Sequence, residues 1–218
     1  RYKSTRLPGK PVIKLGDKTM IEPVYDKCKA TGRDTYVLTD SMAIAGLFDW
    51  QTCWIDQTAR YENGTERCAG AINGELLSKY DTFINVQGDM PDVTPEMIEK
   101  AQWHLKHYPI TTVFTEMPEE KQNDPNTVKM VRAGDQALWF GRGMTGYGDW
   151  HLGVYGYRRN ALELYTSLPQ EKEEVIEQLE QLRWLKSGWQ VGCLSVQYKG
   201  VEINSPEDVD EWHSKNYQ

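Results

Sequence analysis

Within the first ten residues, RYKSTRLPGK, the cations Arg1, Arg6 and Lys10 surround a turn at Pro8 and Gly9, with hydroxyls at Ser4 and Thr5 and no acidic residue among them. That set suits a polyphosphate. Backbone amides of a turn form a concavity for anions, guanidinium forks take phosphate oxygens in pairs, and Lys10 can neutralise charge that develops as a phosphoryl bond breaks. A basic chain terminus with no ligand is the plainer alternative, and the spacing is not the GxxxxGK[ST] of a Walker A loop. Further on, NVQGD at residues 85–89 places Asp89 just past an apolar run, with Gly88 allowing close approach of the backbone. A hard divalent cation takes carboxylate and phosphate oxygens and keeps several waters, so one or two acids at strand ends suffice for it. A lone Asp in that place also serves as a turn or helix cap.

These groups need elements to position them. Runs rich in β-formers at residues 35–39, 82–86, 111–114, 128–131, 136–140 and 191–196 predict strands. Helical patterns at 21–31, 64–80, 95–106, 162–168 and 171–187 lie between several of them. The alternation predicts an α/β protein with a mostly parallel central sheet flanked by helices, and ligands beyond the carboxyl ends of its strands. Residues 1–218 are expected to form a single domain, with about 110–150 as a small inserted hairpin acting as a lid or dimer contact. In the 171–187 helix, Val175, Ile176, Leu179, Leu182 and Leu185 make the stripe expected to be buried. Glu177, Glu180 and Trp184 then turn to solvent, a partner subunit or a ligand. The chain opens inside its phosphate-binding motif, and an α/β protein of this kind is expected to carry a first strand of about 5–8 residues before Arg1.

The chain of 218 residues carries 25 Lys and Arg against 32 Asp and Glu, a net charge of −7, which argues against a nucleic-acid partner. No run approaches the roughly 18 apolar residues of a membrane span, so no membrane insertion is expected and a soluble cytoplasmic protein is the expectation. Cys28, Cys53, Cys68 and Cys193 form no CxxC pair. Reduced, mostly buried thiols are expected rather than a zinc site or a disulfide framework.

The opening RYKSTRLPGKP is followed in order by Thr39-Asp40, Gly64-Thr65-Glu66-Arg67, NVQGD with Pro91, DPNTVK at 124–129, HLGVYGYR at 151–158, LEQLR at 179–183 and NSPEDV at 204–209. Together, over nearly the whole chain, these resemble the 3-deoxy-manno-octulosonate (KDO) cytidylyltransferases. The resemblance implies a nucleotide-diphospho-sugar-transferase fold, a homodimer, a lipopolysaccharide pathway, and transfer of CMP from CTP to the anomeric hydroxyl of KDO with release of pyrophosphate. It implies catalytic roles for Lys10, Asp89 and Arg6. Nucleotide contacts would come from Arg1, Ser4, Arg6, Lys10, Gly64, Thr65, Arg67 and Gln87. Sugar contacts would come from Arg142, His151, Tyr155, Glu180 and Gln181, with Mg²⁺ at Asp89 and Asn204.

Three departures from the family pattern bear on mechanism. Asn204 stands where a second metal-binding Asp is usual, which removes one negative charge although the amide oxygen can still ligate. Glu202 would point the same way if that segment is a strand. Met90 replaces an acid, and FGRGMTG at 140–146 is shorter and richer in glycine than the family's segment. The altered segment leaves room for another acid sugar, 8-amino-KDO or a nonulosonate. Asn204 and Met90 leave room for a nucleotide-binding homologue impaired in catalysis.

Overall fold

A computed structural model describes residue 7 and residues 9–216. In chain order these form β1 (Lys14–Leu15), β2 (Lys18–Thr19), α1 (Ile21–Lys29), β3 (Val37–Thr39), α2 (Met42–Ala45), β4 (Cys53–Ile55), α3 (Gly64–Ala71), β5 (Thr82–Val86) and α4 (Pro95–His104). There follow β6 (Ile110–Thr115), β7 (Lys129–Ala133), β8 (Gln136–Gly141), β9 (Asp149–Arg158), α5 (Arg159–Tyr165), α6 (Lys172–Glu177), α7 (Leu182–Lys186), β10 (Val191–Ser195) and α8 (Pro206–Asn216). The chain divides into two compact units, the first made of residues 1–61, 86–95 and 199–218, the second of 62–85 and 96–198.

In the first unit a β1–β2 hairpin turns on Gly16, whose φ of 66° an L side chain rarely adopts. Glu22 accepts from the Thr19 amide and hydroxyl at 2.6 and 2.7 Å, satisfying donors at the start of α1. Strands β3 and β4 pair in parallel. Leu7, Leu15, Met20, Val201, Ile203 and Trp212 make one apolar cluster, which anchors α8 and the segment before it. Residues 199–204 are not a strand, so the alternation that would have aimed Glu202 alongside Asn204 does not apply.

The second unit carries a six-stranded sheet ordered β5-β9-β6-β10-β8-β7. The α/β class holds, but the sheet is mixed rather than mostly parallel. Strands β6 and β10 pair in parallel, whereas β9 runs antiparallel to β6 and β7, and β8 antiparallel to β7 and β10. One of these pairs follows from a short connection, since the hairpin turning on Gly134, with φ of 61°, delivers β7 and β8 as antiparallel neighbours. The expected hairpin at 128–140 is present as β7 and β8, and it is built into the sheet.

Strand β9, ten residues long, was not among the predicted strands. Its register on β6 is irregular: Thr112 faces Tyr155 while Val113 faces Leu152, so β9 uses three residues where β6 uses one. This is a bulge. It brings the rings of His151 and Tyr155 to 5.3 Å, where four residues of regular strand would span roughly 13 Å.

Helix α3 stops at Ala71, short of the predicted Tyr80. Turns follow it, and the Arg159 side chain ties them down, its nitrogens donating to the carbonyls of Ile72, Leu77, Ser78 and Tyr80. The predicted 171–187 helix is broken into α6 and α7 at Gln178, which sits in the left-handed region at φ 54° and ψ 46°. Leu179 and Leu182 are buried as expected, but Val175 and Ile176 are 58% and 66% exposed, and Trp184 is 1% exposed against Tyr165 and Trp189. Breaking the helix rotates the second turn relative to the first, so a stripe drawn over both does not face one way.

Candidate functional site

Two groups of side chains stand out, one in each unit. In the first, Gly9 takes φ of 69° and starts a 3₁₀ turn at Lys10–Val12, as expected of a turn there. The Lys10 ammonium lies 2.7 Å from Asp89 Oδ2 and 3.1 Å from Asn204 Oδ1. The side chains of Lys10 and Asp89 are 11% and 30% exposed, so the ammonium is largely enclosed and the carboxylate still reaches solvent. Residues 79 and 194 positions apart from Lys10 thus meet on one cation.

Backbone bonds hold that meeting in place. The Ile203 amide donates to the Asp89 carbonyl at 3.2 Å. Asp208 accepts from the amides of Asn204 and Ser205 at 2.7 and 2.8 Å, at the start of α8. Asp92 accepts from the Val201 amide and the Trp212 indole, tying the same segment at its other end. Asp208 stood in the NSPEDV motif, whereas Asp92 carries no sequence signal beyond being an acid near a helix start. Met90 is buried, which explains an apolar side chain in place of an acid. A Cβ at Gly88 would meet only Ile21, at an ordinary 3.5 Å, so neighbouring protein atoms do not demand glycine there. Gln87 is half-buried, and its carbonyl accepts from Met90. Arg1, Ser4 and Arg6 lie outside the described residues.

The oxygen donors around Lys10 fit a hard cation, because a carboxylate and an amide oxygen already converge on one positive group. Among the described residues no group of three or more His, Cys, Asp and Glu side chains could hold a metal ion. A cation at Asp89 and Asn204 would therefore depend on substrate oxygens and water for most of its shell.

In the second unit, α3 opens at Gly64 and Thr65, and the Glu180 carboxylate accepts from both amides, at 3.0 and 3.3 Å, and from the Thr65 hydroxyl at 2.8 Å. Thr65 is 1% exposed, and its hydroxyl also meets that of Tyr157. Burial raises the Glu180 carboxyl above its ordinary pKa, and the bonds from Thr65 and Gly64 oppose that rise. Thr65 and Glu180, which the resemblance implies as nucleotide and sugar contacts, bond each other here. Arg67 lies on the same helix, half-buried.

Around the bulge, His151, Tyr155 and Gln181 are buried together, with Tyr155 donating to Gln181 Oε1 at 3.2 Å. Gln181 Nε2 is buried without a hydrogen-bond partner, a donor left for something else to satisfy. Thr112, which no sequence signal singled out, fixes the tautomer of His151. Its hydroxyl has one hydrogen, donated to the Val154 carbonyl at 2.8 Å, so it accepts from His151 Nε2 at 2.9 Å. Nδ1 then keeps its lone pair. Arg142 follows β8, its guanidinium on the Asn126 carbonyl and its backbone amide on Glu177.

Burial, reinforced by the nearby Arg142 charge, pushes the His151 pKa from 6.5 down to about 3. An unfolded chain binds this proton below pH 6.5 and the folded one only near 3, so stability falls as pH drops through that window. Urea unfolding of wild type and His151→Gln is expected to show the steeper acid-side loss in wild type. Equal slopes would contradict a neutral buried imidazole. Burial lifts the Cys28, Cys68 and Cys193 thiols to about 12, away from reactive thiolate character. All four cysteines are free, with Cys28 and Cys53 only half-buried. No helix among the described residues is long and apolar enough to cross a membrane.

Over its whole fold the chain matches a solved structure of CMP:2-keto-3-deoxy-manno-octonic acid synthetase complexed with CTP, with a TM-score of 0.88 and 27% identity, covering 99% of this chain and 94% of that one. A fold shared to that degree, with lysine, carboxylate and amide meeting past a strand end, makes this an α/β nucleotidyltransferase. The chain belongs to the cytidylyltransferase family, whose profile, described as Cytidylyltransferase, matches residues 1–191. It is 34% identical to 3-deoxy-manno-octulosonate cytidylyltransferase of Cytophaga hutchinsonii, over 96% of this chain and 92% of the relative. It is 35% identical to 8-amino-3,8-dideoxy-manno-octulosonate cytidylyltransferase of Shewanella halifaxensis, again over 96% and 92%. Cytidylyl transfer from CTP is the activity these relatives share.

Proposed function

We propose that this chain transfers CMP from CTP to the anomeric hydroxyl of KDO, giving CMP-KDO and pyrophosphate. The observation that carries the reading is the Lys10 ammonium held between Asp89 and Asn204. Lys10, with Arg1, Arg6 and Ser4, binds the triphosphate and offsets negative charge as the bond to pyrophosphate breaks. Asp89 and Asn204 would hold Mg²⁺, which when bound supplies Lewis-acid stabilisation of phosphate oxygens. Gln87, Gly64, Thr65 and Arg67 are assigned to the cytidine side, with Gly64 and Thr65 acting through the helix start they share with Glu180. Neutral His151 accepts a sugar hydroxyl at Nδ1, and Gln181 Nε2 donates to a sugar oxygen. The hydroxyl attacks the α-phosphorus in line, its proton leaves to solvent, and no covalent enzyme intermediate forms. With this reading come a homodimer, a cytoplasmic location and a place in lipopolysaccharide assembly.

A second reading, 8-amino-KDO as the acceptor, is favoured by the similar identity to the Shewanella relative. The test is Mg²⁺-dependent pyrophosphate release from CTP with each sugar. Faster release with KDO is expected, faster release with 8-amino-KDO would move the assignment to that sugar, and silence with both would refute cytidylyl transfer to either acid.

A further inference from the structure

The loop that leaves β8 is held by a carboxylate that the reading above does not use. Glu177 Oε2 accepts from the backbone amides of Arg142 and Gly143, at 2.6 and 3.3 Å. A Cβ at Gly141 or Gly143 would stand 3.6 or 3.7 Å from Glu177 Oε1, an ordinary contact distance, so the carboxylate lies close against both neighbours of Arg142 without itself requiring glycine at either. From below, the buried Lys129 ammonium donates to the Arg142 carbonyl at 3.2 Å. The peptide groups on either side of the Arg142 Cα are thus fixed by opposite charges, which settles where its side chain begins.

Glu177 is also the last residue of α6, and the next residue, Gln178, is the only non-glycine with positive φ among the described residues. That conformation costs a non-glycine residue about 1 kcal/mol or more and persists only where its surroundings impose it. Here the reversal lets one short stretch reach three places. Glu177 holds the Arg142 loop, Glu180 holds the start of α3, and Gln181 meets Tyr155.

We infer that Glu177 is a positioning residue for acid-sugar recognition: by fixing the backbone at Arg142 and Gly143 it sets the Arg142 cation for the sugar carboxylate, without touching substrate itself. This rests on the reading of Arg142, His151, Tyr155 and Gln181 as the sugar half-site. The specificity of its effect follows from where it acts. A loosened Arg142 loop weakens the sugar and leaves CTP alone, whereas a general structural loss weakens both.

The experiment is steady-state kinetics of the full chain with KDO and with 8-amino-KDO, comparing wild type, Glu177→Ala and Glu177→Gln. Glu177→Ala removes a charged acceptor from two amides and is expected to raise the KM for the sugar by about tenfold or more, with the KM for CTP within twofold. Glu177→Gln keeps an oxygen acceptor but loses the charge that strengthens both bonds, so its sugar KM falls between the two. A sugar KM unchanged in Glu177→Ala, or a parallel rise in both KM values, overturns the inference. If Glu177→Ala does not fold, Glu177→Gln decides, and a sugar KM equal to wild type overturns it. Wild-type silence with both sugars refutes the sugar reading on which the inference rests, a result that no Glu177 variant could produce.

Discussion

Lys10→Ala is expected to lower kcat by about 10²–10³-fold while leaving the thermal unfolding midpoint close to that of wild type. Among the described residues the ammonium is the only positive group bonded to Asp89 and Asn204, and in the proposed reaction it offsets charge on the departing pyrophosphate. Its loss removes an interaction worth more in the transition state than in the ground state, so the effect falls on kcat rather than on KM for CTP alone. Stability should change little, because Asp89 retains solvent contact and regains hydration when its partner is gone. Lys10→Arg is a useful companion, since a planar fork does not reproduce the compact ammonium between two oxygens. Near-normal turnover in Lys10→Ala would remove Lys10 from the mechanism.

Arg183→Leu should do the reverse, costing stability first. The guanidinium makes a fork to Glu174 at 2.9 and 2.6 Å, a third bond to Glu66 at 3.1 Å, and lies over the Tyr165 ring at 4.3 Å. Arg183 and Glu174 are both buried. Removing one member of a buried pair costs about 3–5 kcal/mol because the other charge is left without compensation. For a chain of this length that lowers Tm by roughly 2–4 °C per kcal/mol. Urea unfolding of Arg183→Leu, and of the double variant with Glu174→Leu, separates pairing from packing. The double variant should recover much of the loss, and an Arg183→Leu protein as stable as wild type would show that the pair contributes nothing.

The two predictions draw on residues that were unequally legible in the sequence. Lys10 and Asp89 stood in recognisable motifs, and the structure brings them together with Asn204. Arg183 sat unremarked in LEQLR, because nothing local signals that its partners lie at Glu174 and Glu66. The same contrast runs through the fold. Strand β5 is predicted to the residue, and α1, α4, β10 and the β7–β8 hairpin within a few residues, because local pattern and tertiary role agree there. Strand β9 escaped because most of it is buried, which erases polar alternation, and because its bulge interrupts the period. The helix over 171–187 was legible by pattern and wrong in fact. Distant bonds from Glu177 and Glu180 to the Arg142 loop and to α3 outweigh a helical propensity worth only tenths of a kcal/mol per residue.

The bulge in β9 has a further property that concerns chain length. Between Thr112 and Val113 the strand carries two residues more than its neighbour, an even number, so side chains on either side of it alternate in phase. An odd surplus would turn His151 to the opposite face from Tyr155 and bring Leu152 in its place. Relatives of this chain should therefore gain or lose residues here in pairs, and a single-residue change would be the rarer event even where the loop itself has space for it.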